Sequence, residues 1–310
     1  MMNERQLEYV VAIVETGSFT AAAEQCRTAQ SALSHQIARL EKHLGVRLFD
    51  RTSRSVRLTE AGKALLPVAR RILADLTEAR TELRSIDGLV RGPLRIGATQ
   101  TAIRVLNLLQ LLADYDKGYP DVELSVTVGP GYELTGGVQS GELDVAFAAL
   151  DGPAAPPGTR FAPLGRIEPL VAVVAADHPL AGRASVQLHH LADAGRFIDF
   201  RPRTALWNKV NSMCAVAGVE RRVMCELGNI PSMVELASTG VAATVVPRAF
   251  TERQEGQAFA PEGIRALPLA EPDSHLVIGF FCGGGPLAAP PLRAFVELFS
   301  PDRHVHPTDS

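Results

Sequence analysis

The stretch Ala29-Gln30-Ser31-Ala32-Leu33-Ser34-His35-Gln36-Ile37-Ala38-Arg39-Leu40-Glu41-Lys42-His43-Leu44-Gly45 decides how the N-terminal third folds. Its apolar residues Leu33, Ile37, Leu40 and Leu44 are spaced four, three and four apart, which predicts a helix burying one face, with Gly45 closing it. The opposite face presents Gln30, Ser31, Ser34, His35 and Arg39. A glutamine can hydrogen-bond adenine, and Ser, His and Arg can reach base edges or phosphates. Upstream, Leu7, Val10, Val11 and Val14 predict a first helix ended by Thr16-Gly17. Thr20 reads as the N-cap of a second helix through Ala21-Ala22-Ala23-Glu24, ending near Cys26-Arg27, and as a candidate DNA contact. A short helix, a tight turn and a polar-faced helix make a helix-turn-helix. Three-helix packing without DNA is the competing reading of the pattern alone.

Downstream of Gly45, Leu48-Phe49 and Val56, Leu58 read as two short strands around the turn Thr52-Ser53-Arg54-Ser55. That is a β-wing with Arg51 on its flank and Arg54 at its tip, suited to a narrow minor groove or its phosphates. Thr59-Glu60-Ala61-Gly62 then caps a new helix. Residues 27–63 hold eight Lys or Arg against three acids, a net +5, although the chain as a whole carries −3. A basic head on an acidic body fits a DNA-binding head on a sensor.

Taken together, Ala21-Ala22-Ala23-Glu24, the run from Ala29 to Glu41, Leu44-Gly45-Val46-Arg47-Leu48-Phe49-Asp50-Arg51 and Leu58-Thr59-Glu60-Ala61-Gly62 resemble the LysR-type family of transcription regulators. The resemblance implies that Gln30, Ser31, Ser34 and His35 face the major groove and that Arg51 and Arg54 belong to the wing. Many relatives have proline where this chain has Ser31-Ala32 and arginine where it has His35, so a different base preference is expected.

Residues 64–87 contain no glycine, and the one proline, Pro67, falls near the start of this segment. Leu65, Val68, Ile72, Leu76, Ala79, Leu83 and Ile86 recur close to a coiled-coil seam. So long a helix needs a partner to bury that stripe, which predicts a homodimer reading a roughly palindromic site. Packing on its own sensor is the competing reading. The family resemblance implies a homotetramer, a dimer of dimers, with RNA polymerase a candidate partner.

After Arg91-Gly92-Pro93, strands alternate with helices. Strands are expected at 94–98, 122–128, 145–148, 170–176, 197–200, 223–227, 242–246 and 275–281, and helices at 102–115, 205–216, 230–238 and 291–299. The fold class is α/β overall: a winged helix-turn-helix, a long linker helix and a two-subdomain effector domain, its sheets largely parallel, with two crossovers as in periplasmic binding proteins. The expected domains are 1–62, 63–90 and 91–302, with subdomain I at about 91–162 and 267–302, subdomain II at about 163–266, and a tail at 303–310. Tyr119-Pro120-Asp121, Gly141-Glu142-Leu143-Asp144 and His178-Pro179-Leu180 extend the LysR-type resemblance, more weakly, into this body.

Ligands of paired α/β units bind at strand ends and helix N-termini between the units, where anions are favoured. Thr99, Gln100, Thr101, Gly129, Phe200, Arg201, Arg203 and Thr204 occupy such turns and are the candidate effector residues; Trp207, the only tryptophan, follows them. A small anionic effector is expected and no cofactor. A solute-binding protein would explain the body but not the head. An enzyme is disfavoured: no HExxH, GxSxG or Walker-type loop occurs. Gly283-Gly284-Gly285 lacks the following Lys-Ser/Thr, and the eight histidines show no metal spacing. The longest apolar run, 170–176, is far short of the ~18–20 residues of a membrane span. With no secretion signal at the N-terminus and four scattered cysteines, a reducing cytoplasm is expected. One branch of the LysR-type family senses peroxide through a cysteine pair. By that resemblance Cys214 falls at the second cysteine, whereas Ala205 stands at the reacting position. A Cys214–Cys225 pair and buried structural thiols both stay open.

Overall fold

The computed structural model describes residues 2–51, 56–84, 90–150, 152, 154–252, 262–284 and 289–299. The wing tip with Arg54 and the tail at 303–310 lie outside the described residues, as do the side chains of Arg51 and Leu83.

The head packs α1 (Glu4–Thr16), α2 (Phe19–Gln25) and α3 (Gln30–Leu44) against a hairpin of β1 (Phe49–Arg51) and β2 (Val56–Leu58). Asn3 and Gln6 form a reciprocal capping box on α1, and Gly17 ends it in the left-handed region that a Cβ would disfavour. Ser18, not Thr20, is the N-cap of α2: its hydroxyl accepts from the Ala21 N–H, two residues before the position expected from the alanine run. Thr20 is exposed within the first turn. Val10, Ile13, Ala22, Leu33, Ile37 and Leu40 form the core, with Phe19 edge-on to Phe49. Leu44 is not part of it; as the last residue of α3 it turns outward and is 38% exposed.

α4 (Glu60–Arg84) is a 25-residue helix, about 37 Å long at 1.5 Å per residue. Gly62 opens it without a side chain because a Cβ there would collide with the Leu48 carbonyl. Ala69 is fully buried against the rest of the chain, whereas Val68 and Leu76 of the predicted seam are exposed.

The sensor consists of β3 (Gly92–Ala98), α5 (Gln100–Val105), α6 (Leu108–Gly118), β4 (Val122–Val128), α7 (Gly131–Ser140) and β5 (Val145–Ala149), then β6 (Thr159–Ala175), α8 (Leu188–Ala194), β7 (Phe197–Phe200), α9 (Ala205–Ala217), β8 (Val223–Leu227), α10 (Ile230–Ser238) and β9 (Ala243–Pro247). It closes with a 3₁₀ turn (Arg248–Phe250), β10 (Ile264–Pro268), β11 (His275–Gly283) and α11 (Pro290–Glu297). The strand order is β4-β3-β5-β11-β6-β9-β7-β8, with β10 also on β6. Strands β3–β5 pair in parallel in one unit and β7–β9 in the other. The expectation of a largely parallel sheet holds only inside these units. Between them β6 and β11 are antiparallel to each other and to their neighbours, because both are crossover strands. Three further differences are local. The helix expected at 102–115 is two helices, broken where Asn107 adopts a left-handed φ of 49°. β6 begins eleven residues before the strand expected from 170. β10 and α8 had no alternating or periodic pattern long enough to mark them.

Where β11 shifts register beside β6, between Ile278 and Gly279, Gly279 lies against the Ala162 carbonyl and the Phe161 ring. A Cβ there has no room. Gly279→Ala is therefore expected to cost roughly 1–3 kcal/mol by overpacking. Urea unfolding measures it, and an unchanged midpoint would show that the crossover has slack.

Candidate DNA-reading face and effector cavity

Gln30, Ser31, His35 and Arg39 are exposed along one face of α3, with Ser34 half-buried among them. The Gln30 amide donates to the Ser34 hydroxyl at 3.0 Å, so the two side chains are presented together. The buried face holds α3 in place. The Gln6 amide, itself buried in α1, donates to the Gln36 side chain at 3.2 Å. The Glu41 carboxylate accepts the N–H groups of Leu48 and Phe49 at 2.8 and 3.2 Å, tying the helix to the root of the wing. The Thr59 hydroxyl accepts from the Gly62 N–H, as a cap should, and donates to the Arg47 carbonyl at 2.6 Å. The hairpin sets Arg51 opposite Val56 and Asp50 opposite Arg57.

In the sensor a cavity of about 150 Å³ opens between the two units. Four of the parallel strands deliver the chain to it at their C-terminal ends: β3 through Thr99, Gln100 and Thr101, β4 through Gly129, β7 through Phe200, Arg201 and Thr204, and β8 through Gly228. Seven of the eight candidate residues thus line one space. Arg203 does not; it holds a left-handed φ of 66°, and its guanidinium stacks 5.0 Å over the Tyr132 ring on the opposite unit. Sequence reasoning missed Ala148, Ala149 and Leu276, which line the cavity from β5 and β11; only strand pairing brings them there.

The polar groups differ in what they have left to offer. Thr99 spends its hydroxyl capping α5 at the Ala102 N–H, and Thr204 spends its own on the Trp207 N–H and the Arg201 carbonyl. Thr101 is 8% exposed, and its hydroxyl has no partner among the described residues. α7 and α9 start at the cavity, and the N-terminus of α7 has no side-chain cap. The Arg201 guanidinium lies over Gly228, close enough that a Cβ there would approach it at 3.1 Å. No carboxylate pairs with Arg201 among the described residues, and no Asp or Glu lines the cavity. Gln100 spans the opening: its amide oxygen accepts from the Ile230 N–H at 3.3 Å and its amide nitrogen donates to the Gly228 carbonyl at 3.4 Å. Behind it the buried Arg104 donates to the carbonyls of Ala249 and Glu252, and the Glu168 carboxylate accepts the Ala249 N–H at 2.7 Å. Burial pushes the Glu168 carboxyl up.

All four cysteines are free thiols. Cys214 is buried, and Arg221 donates to its sulfur at 2.9 Å while pairing with Asp199 at 2.8 Å. Burial raises the Cys214 thiol and outweighs the pull of Arg221, so the unreactive protonated form prevails. No group of three or more His, Cys, Asp or Glu among the described residues could hold a metal. No described helix is long and apolar enough to cross a membrane.

A winged three-helix head, a long helix and a two-unit α/β body with a cavity at its strand ends define a ligand-responsive DNA-binding regulator. Residues 4–63 match the family described as bacterial regulatory helix-turn-helix protein, lysR family, and residues 87–302 match the LysR substrate binding domain. The chain belongs to the LysR family: it is a DNA-binding transcription regulator with an effector-binding domain, and not an enzyme. BudR of Raoultella terrigena is 33% identical over 255 residues, 81% of this chain and 86% of BudR. The uncharacterized regulator YnfL of Escherichia coli is 32% identical over 272 residues, 87% of this chain and 88% of YnfL. Among solved structures, full-length OxyR from Pseudomonas aeruginosa superposes with a TM-score of 0.73 at 23% identity, covering 96% of this chain and 93% of its own, a likeness of fold. Full-length CbnR bound to its target DNA has a TM-score of 0.64 at 25% identity, covering 96% and 98%.

With native protein at pH 8, iodoacetamide is expected to label the half-buried Cys225 well before Cys214. Peptide mapping over time reads this, and Cys214 reacting first would contradict a protonated, enclosed thiol.

Proposed function

We propose that a small organic anion binds in the cavity between the two α/β units and that its binding alters how the DNA heads engage a promoter. The observation that carries this reading is Arg201, a cation without a carboxylate partner among the described residues, on the wall of a cavity free of acids. The uncapped first turn of α7 and the start of α9 add partial positive charge, and Thr101 adds an uncommitted hydroxyl. Ala148, Ala149, Leu206 and Leu276 supply an apolar wall for the ligand's carbon skeleton. The effector residues are then Thr101 and Arg201 for the charge, with Thr99, Gly129, Phe200 and Thr204 shaping the space. Gln100 and Arg203, each reaching across, respond to closure. Effector binding shifts the angle between units 91–162 with 267–302 and 163–266, which changes the spacing of the heads.

In the DNA complex, α3 enters the major groove with Gln30, Ser31, Ser34, His35 and Arg39 toward the bases, Thr20 toward the backbone, and Arg51 and Arg54 on the wing. Regulators of this family oligomerise. The α4 stripe of Leu65, Val68, Ile72, Leu76, Ala79 and Leu83 forms the dimer, and dimers pair into a tetramer that works in the cytoplasm and meets RNA polymerase at the promoter. The exposure of Val68 and Leu76 supports a seam that awaits a partner helix.

Trp207, in the first turn of α9, is a built-in reporter. Titration of the full chain with acetate, succinate, benzoate and salicylate is expected to give a saturable change in its emission for at least one of them. Thr101→Val and Arg201→Ala should each weaken that binding about tenfold or more, as loss of a hydrogen bond to a charged group does. No saturable response, or one indifferent to both substitutions, would refute the anion site. Footprinting upstream of the chain's own gene reads the head. Protection over several helical turns is expected, with His35→Ala changing base preference by about 1–3 kcal/mol at the contacted position. His35→Ala binding every sequence as the parent does would remove His35 from the reading face.

A further inference from the structure

The turn that follows α7 meets the linker helix, at a residue of that helix which also reaches the DNA head. Gly141 ends α7 with a φ of 75° and rests directly on α4: a Cβ there would come within 2.9 Å of the Ala74 Cβ and 3.3 Å of the Arg70 carbonyl. The next residue, Glu142, pairs with the Arg70 guanidinium at 2.5 Å. The other arm of the same guanidinium reaches Glu15 in the last turn of α1 at 3.9 Å. The Arg70 side chain is 19% exposed, against 45% for each glutamate, so the pairs are screened less than at an open surface. Sensor, linker and head thus meet at one guanidinium.

The other end of α7 is Gly131, on the wall of the effector cavity. Ten residues, about 15 Å of helix, separate the two ends. Between them Leu134 and Val138 are buried against Ala146, Ala148 and Phe281, so the helix is fixed to its sheet. Leu143 fills the space left by Gly97 and Gly137, where a Cβ would come within 2.7 and 2.9 Å of it. A close-packed body of this kind moves as a unit.

We propose that Arg70 is a positioning residue that fastens the DNA head to the unit containing α7, so that head, linker and this unit move as one body and the unit of β7–β9 is the part that swings. The swing is that of the proposed effector cleft; the fastening itself requires no effector. Effector-driven closure then displaces the second unit relative to the heads instead of bending the head against its own sensor unit. The Arg70 Nε is buried without a partner, which keeps the clasp short of its full strength and open to release.

Hydrogen exchange of the full chain, without effector or DNA, tests the clasp. Arg70→Glu is expected to speed exchange of amides in 138–144 and in the last turn of α1 by about threefold to tenfold. Adding Glu142→Arg should restore protection at 138–144, a recovery that a merely structural loss at Arg70 would not show. Gly141→Asn, which tolerates the left-handed turn but sets a side chain against Ala74, should loosen the same segments without changing charge. Unchanged exchange at 138–144 in Arg70→Glu, or loosening that Glu142→Arg leaves uncorrected, would overturn the proposal. The Trp207 titration is independent of this readout, so failure of the anion site and failure of the clasp are told apart.

Discussion

The antiparallel pairing of β6 with β11 holds the sensor in one piece and gives it its working geometry. β6 runs through both halves, pairing with β11 along its first part and with β9 and β10 along its last. Each unit on its own is a parallel sheet with helices, whose strands point their C-terminal ends at one edge. Joined by two crossing strands, these edges face each other. The turns at Thr99, Gly129, Phe200 and Gly228 therefore converge on one cavity although up to about 130 residues separate them. Gly279 marks the cost of the crossing, as the residue at the register shift can carry no side chain.

Charge is distributed to match. Both buried acids among the described residues are engaged: Glu168 by the Ala249 N–H and Asp199 by Arg221. Arg221 also serves Cys214, so that cation is consumed by structure. Arg201 is the contrasting case, held over Gly228 at the cavity with no acid to neutralise it. Burial of a charge without a partner is expensive, and Arg201 avoids that cost by staying exposed at the edge of the cavity. The same economy separates the threonines: Thr99 and Thr204 spend their hydroxyls as helix caps, and Thr101 does not.

The packing of the sensor on the linker helix depends on small residues placed where a Cβ would intrude. Gly141 against α4, and Gly97 and Gly137 against Leu143, allow α7 to be clamped to its sheet and the sensor to lie directly on the linker helix. The geometry leaves the head few ways to move relative to that unit. It also leaves Val68 and Leu76 facing outward, on the side of α4 away from the chain's own sensor.

Local periodicity was enough to read the head. The four-three-four spacing in α3, the alanines of α2 and the glycines at 17 and 45 are short-range signals, and the helices began and ended within a few residues of them. The cap of α2 lies two residues before Thr20, because both Ser18 and Thr20 can cap a helix and packing of Phe19 into the core selects Ser18. The turns at the cavity were legible for the same reason, each being a strand end followed by a helix start. What the sequence could not determine was anything set by contacts between distant segments. The first half of β6 has no strict alternation, with Pro163 and Gly165 interrupting it, and only its pairing with β11 makes it a strand. Arg203 and Arg201 look alike in sequence, yet one stacks on Tyr132 and the other lines the cavity. Nothing near Arg70 in the chain announces Glu15 and Glu142, fifty-five residues before it and seventy-two after it. The sequence by itself determined the head, the long helix and the order of strands and helices, because hydrogen bonds and hydrophobic faces within a few turns specify them. Only the tertiary structure decided which side chains share a cavity or a guanidinium, because long-range packing, and not local propensity, brings them within reach.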